Sequence, residues 1–185
     1  MDTNTKKAYE LLQKKSDSNE LIQAVSSVLG FPYTLLADAG VYFTHYVPLL
    51  NAMRKIYGRE PVEDNTVIQV LKECKSEIFA DILFDKLIGQ IPVVGIAANI
   101  MCAKTLTWRF GTLFAMLAAK DSEIREADVI GAVRKIRKEF PQRNMFTFQK
   151  PMPTVFDHLV NGGTGSADTF DVDAFFENVV YRKTT

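Results

Sequence analysis

Three polar residues stand inside stretches of this chain that are otherwise largely apolar. They are Asp38 in "FPYTLLADAGVYF", Asn99 in "GQIPVVGIAANIMCA" and Arg109 in "TLTWRFGTLFAMLAA". A carboxylate, an amide and a guanidinium so placed must satisfy one another or serve a ligand, because a lone buried charge is costly. Asp38 reads first as a carboxylate facing a helix end, a basic side chain such as Arg109, or solvent at a bundle rim. Its second reading is a polar switch or ligand contact. Asn99 reads as a hydrogen-bond clasp between helices, with a binding residue as the alternative. The expectation is a buried polar cluster in which Asp38, Asn99 and Arg109 converge, within about 10 Å of one another or bridged by water.

Arg134, Lys135, Arg137, Lys138 and Arg143 form the one basic cluster. At the end of a helix such charges complement its dipole and stay solvated. The functional reading is contact with anionic lipid or an acidic partner. Nucleic acid is excluded as a partner class, because no aromatic residues interleave with the run and the 22 basic and 22 acidic residues cancel.

Other chemistry finds no constellation. His45 and His158 lack a further ligand at a metal-binding spacing. Asp168, Asp171, Asp173 and Glu177 lack the twelve-residue calcium pattern and instead favour the dipole at a helix start. "NGGTGSAD" has no lysine and reads as a turn, not a phosphate loop. No nucleophile and base or paired acids are apparent, so neither a catalytic site nor a cofactor is expected. Cys74 and Cys102 lie in apolar patterns and read as buried thiols of a reducing compartment.

The elements that must position these residues are helical throughout. Ala8, Leu11 and Leu12 mark a short first helix, and Asp17 or Ser18 is placed to cap a second, closed by Gly30 and Pro32. An apolar helix or helix pair follows over 31–57, with Pro48 expected to kink or divide it and Gly58 and Pro61 to stop it. Thr66 and Gln69 fit a capping box ahead of the stripe Val67, Leu71, Cys74, Ile78 and Ile82. After the two most apolar segments, Val129, Val133, Ile136 and Phe140 mark an amphipathic helix stopped by Pro141. "NMFTFQKPMPTVF" reads as extended or irregular, and Val172, Phe175, Phe176, Val179 and Val180 mark a last amphipathic helix. The expectation is all-α: a compact bundle over 17–140, and a partly irregular extension over 141–185 whose final helix packs back on it.

The apolar segments pose a membrane question. Between Lys86 and Lys104 lie 17 residues, roughly 25 Å of helix against a hydrocarbon core of about 30 Å. Extension in either direction meets a charge. Core helices of a soluble bundle are therefore the first reading. A re-entrant or peripheral hairpin and a spanning pair are the others, and Trp108 and Arg109 either anchor a lipid interface or sit at the bundle rim. The polar N-terminus has no apolar run of the secretory kind.

Several of these pieces together resemble the bacterial DUF697 domain. They are Pro32 to Asp38, Met53, "IYG" at 56–58, "IPVVG" at 91–95, Asn99, and Thr107 to Gly111. The resemblance covers about Leu21 to Ala119. It implies a helical domain found with GTPases, in some members associated with membranes, and it carries no catalytic residues. The functional expectation is a non-enzymatic interaction or regulatory module, cytoplasmic or at an anionic membrane surface, acting with a separately encoded GTPase. The alternative is a small membrane-embedded protein with a helical hairpin through 87–119. The sequence implies no oligomeric state.

Overall fold

The computed structural model describes residues 1–18, 39–63, 69, 96–120, 124–140 and 150–162. Side chains are described from 46 onward in the second of the longer stretches and from 104 onward in the third. The described residues form five helices and no strands: α1 (Thr3–Asp17), α2 (Ala39–Ile56), α3 (Ile96–Ala119), α4 (Glu126–Glu139) and α5 (Pro153–Asn161). The fold is all-α, as the periodicity anticipates. The expected helices over 21–29, 66–82 and 171–181 lie outside the described residues, Gln69 excepted, as does Cys74.

The organising element is α3, which touches each of the other four helices. Every residue from Thr105 to Ala118 is buried. A helix apolar on all sides needs neighbours on all sides, and here protein supplies them. Ala8 and Leu12 of α1, Leu50 and Met53 of α2, Val133 and Ile136 of α4, and Phe156 and Leu159 of α5 join Phe110 and Phe114 in one core. Each large side chain so buried contributes roughly 1.5–3 kcal/mol. Rings stack through it: Tyr46 lies 4.8 Å from Phe110 and Phe114 lies 6.1 Å beyond. No described helix is long and apolar enough to cross a membrane.

Local chemistry explains the ends. Asp2 caps α1, its Oδ1 accepting from the Thr5 amide at 2.7 Å. That bond holds the Asp2 carboxyl below the usual carboxylate range. After α2, Gly58 takes a φ of 68°. This lets Arg59 N donate to the Arg54 carbonyl at 2.8 Å and Gly58 N to the Lys55 carbonyl at 3.1 Å, the paired closure that a left-handed residue permits. The chain then folds back on α2, where the Asn51 amide accepts from Val62 N at 3.0 Å and donates to its carbonyl at 3.3 Å.

Several expectations are corrected. Asp17 ends α1 and Ser18 is its C-cap, with both its amide and hydroxyl on the Lys15 carbonyl; the helix that either was expected to cap lies outside the described residues. The bundle therefore begins at Thr3, not at 17, because Ala8 and Leu12 are core residues. Pro48 does not divide α2, which runs through it with the ring exposed. Part of the supposedly irregular stretch is helical: Pro153 occupies the first turn of α5, where the missing N–H has no partner to lose. The segments on either side of Lys104 form one unbroken helix from Ile96 to Ala119.

Candidate functional site

Arg109 is fully buried. It projects from α3 to the end of α4, where Nη2 donates to the Phe140 carbonyl at 3.1 Å and the guanidinium lies 5.9 Å from the Phe140 ring. A cation at the C-terminus of a helix meets the negative end of its dipole, so Arg109 ties two helices together. Asp38 lies outside the described residues, and Asn99 is described only as backbone of α3. Trp108 is buried as well, its ring 5.0 Å from Tyr9 and 6.3 Å from Phe156. The placement of Trp108 and Arg109 at a lipid interface or bundle rim is thereby corrected: both face protein.

A polar network that sequence spacing does not reveal closes one corner. Thr5 Oγ1 lies 3.1 Å from the Tyr57 hydroxyl and accepts from Asn161 Nδ2 at 3.0 Å. The same Nδ2 donates to Asp157 at 2.8 Å. Burial pushes the Tyr57 hydroxyl above its usual range. These partners are 52 and 156 residues apart, so no local motif announces them. They satisfy groups that the bundle removes from water, which is a structural role. His158 is partly buried on α5, and His45 is described only as α2 backbone. Among the described residues no three His, Cys, Asp or Glu side chains are placed to hold a metal.

Among the described residues, a groove of about 360 Å³ opens among the C-terminal part of α3, α4 and the end of α5. Met116, Leu117, Leu159 and Val160 give it an apolar lining. Lys120 and Lys135 supply cations and Asn161 an amide at its edge. Gly131 stands in the α4 wall, and a Cβ placed on it meets nothing within 4 Å. Glycine inside a helix costs about 1 kcal/mol relative to alanine, and no described neighbour requires it here.

Asp128 also faces the groove, and Lys120 Nζ bonds its Oδ1 at 2.6 Å. Its Oδ2 lies 3.5 Å from Arg125 Nε. The Lys120 bond holds the Asp128 carboxyl below its ordinary value, against the opposing effect of burial. A lowered folded value stabilises the protein fully above the unfolded value near 3.8, and that contribution is lost as pH falls through the folded value. Asp128→Asn should therefore lower stability by about 1 kcal/mol at neutral pH. The difference from the parent should vanish under acid conditions, as read by denaturant unfolding across pH.

Of the basic cluster, Arg134, Lys135, Arg137 and Lys138 are all exposed on α4, while Val129, Ala132, Val133 and Ile136 face the core. Lys138 follows Lys135 by three positions and continues the same flank. Arg143 lies outside the described residues. The cluster was legible as a charge run. The groove beside it was not, because its walls come from three helices. Comparison with protein-family models, curated proteins and solved structures returns no match, so the likeness to the DUF697 domain rests on its quoted motifs alone.

Proposed function

We propose that this protein is a non-enzymatic helical interaction module whose contact surface is the basic flank of α4 with the apolar groove beside it. One observation carries the reading. Lys135 both lines the groove and belongs to an exposed set of four cations on α4, so apolar and electrostatic recognition meet in one place. Such a surface suits an acidic partner with an apolar stripe. The likeness to the DUF697 domain suggests a separately encoded GTPase as that partner, and an anionic membrane surface offers the same charge.

The test replaces Arg134, Lys135, Arg137 and Lys138 with Ser. These side chains are exposed, so the bundle should keep its unfolding midpoint. Each basic residue near an anionic surface is worth about 1 kcal/mol. Co-sedimentation with phosphatidylserine vesicles, or capture of a GTPase encoded beside this chain, should therefore fall at least about tenfold. Binding to both that is absent in the parent, or unchanged in the variant, would falsify the proposal.

A further inference from the structure

We propose that Asn161–Gly162 is a self-modifying junction: Asn161 deamidates without an enzyme, and its conversion unfastens α1 from α5.

The chemistry is intramolecular. The Gly162 backbone nitrogen gives its proton to solvent base and attacks the side-chain carbonyl carbon of Asn161. The new N–C bond closes a succinimide ring, and the side-chain amide leaves as ammonia. Water then opens the ring at either carbonyl. One opening gives an aspartate at that position. The other gives an isoaspartate, whose main chain runs through the former side chain and is longer by a methylene. No redox partner is needed, since water enters and ammonia departs.

Sequence and structure both favour this position. Asn161 is the only asparagine followed by glycine, and glycine has no side chain to shield its nitrogen or to hold the backbone out of the attacking geometry. Asn161 ends α5, and both it and Gly162 are exposed. The nucleophile is restrained by the bond from Gly162 N to the His158 carbonyl at 2.8 Å. That is the terminal bond of a short helix, where ends fray.

The reacting amide is also the fastener. Asn161 Nδ2 donates to Thr5 Oγ1 of α1 at 3.0 Å and to Asp157 Oδ1 at 2.8 Å. Deamidation removes that donor and puts a carboxylate in its place. Asp157 lies one helical turn back on the same face, so two like charges then meet. The Met1 amino group engages the other oxygen, Asp157 Oδ2, at 3.1 Å, and Oδ1 loses the donor it had. Asp2, which also bonds the Asn161 side chain, is a further acid at this corner.

Peptide mapping by mass spectrometry, on the full chain aged in mildly alkaline buffer, tests the reaction. Asn161 should convert at least about tenfold faster than Asn51, which alanine follows on α2. Asn161→Gln should not convert, because the longer side chain closes its ring far more slowly. Gly162→Ala is unsuitable as a control, since its Cβ collides with the His158 carbonyl. Asn161→Asp reproduces one product at once and tests the consequence. Amide hydrogen exchange at Ala8 and Tyr9 in α1 and at Val160 in α5 should rise about tenfold over the parent, while the middle of α3 stays protected. Adding Asp157→Asn should reverse most of that rise, because it restores an amide beside a carboxylate. Conversion at Asn161 no faster than at Asn51 overturns the proposal. So does exchange in Asn161→Asp that matches the parent, or a rise that Asp157→Asn leaves in place.

Discussion

Trp108→Ala should destabilise the protein by about 3–5 kcal/mol, a large fraction of the roughly 5–15 kcal/mol that holds a domain folded. Trp108 is the only tryptophan and among the largest fully buried side chains. It joins α1 to α5 across α3: Tyr9 and Phe156 pack on it, and Tyr9 and Phe156 lie 5.4 Å from each other. The Tyr9 hydroxyl then bonds the Pro151 carbonyl at 2.9 Å, which fixes the entry to α5. Removing the indole leaves a cavity that three separate helices must collapse to fill. Phenylalanine gives a sharper comparison. The Trp108 Nε1 is buried without a hydrogen-bond partner, so Trp108→Phe abandons no bond and removes an unsatisfied donor. Its cost should be less than half that of alanine. Urea unfolding followed by circular dichroism measures both. A Phe variant as damaged as the Ala variant would show that the N–H, not the ring packing, matters.

The second large effect is expected at Gly111, buried in the middle of α3. A Cβ placed there collides with Leu12 Cδ2 of α1 and lies 2.9 Å from its Cγ. Leu12 is itself fully buried and has no solvent to turn into. Gly111→Val should therefore cost about 2–3 kcal/mol through overpacking, even though glycine is normally the poorer helix former. Leu12→Ala alone should cost about 2–5 kcal/mol as a cavity. In the double variant the new methyl groups enter the space the leucine vacates. The combined loss should fall short of the two single losses by at least about 1 kcal/mol, a coupling expected only for residues in contact. Additive losses would mean that α1 does not pack on α3 at this glycine.

Much of the local architecture was legible before any coordinates. Gly58 stops α2 because a left-handed residue closes the helix, and glycine adopts that conformation without strain. The stripe Val129, Val133, Ile136 turns inward because it shares one side of α4, which sends Arg134, Lys135, Arg137 and Lys138 outward. Misreadings arose where a residue type suits two positions. Serine and aspartate cap either end of a connection, and the structure shows Asp17 and Ser18 at the finish of α1. Proline fits an irregular strand or a first helical turn, and Pro153 takes the second role.

Taken alone, the sequence determined that the chain is helical, where α2 stops, and which side of α4 carries charge. Those properties depend on residues within one or two turns of each other, and neighbours along the chain are always present. The surroundings of α3 were decided by tertiary structure. An all-round apolar helix satisfies lipid and protein equally well, and only four packed helices settle which it meets. They also bury Arg109 against the end of α4, join Thr5 to Asn161, and set Lys120, Gly131 and Leu159 around a single groove. Such contacts link residues far apart in sequence, and no periodicity along the chain encodes them.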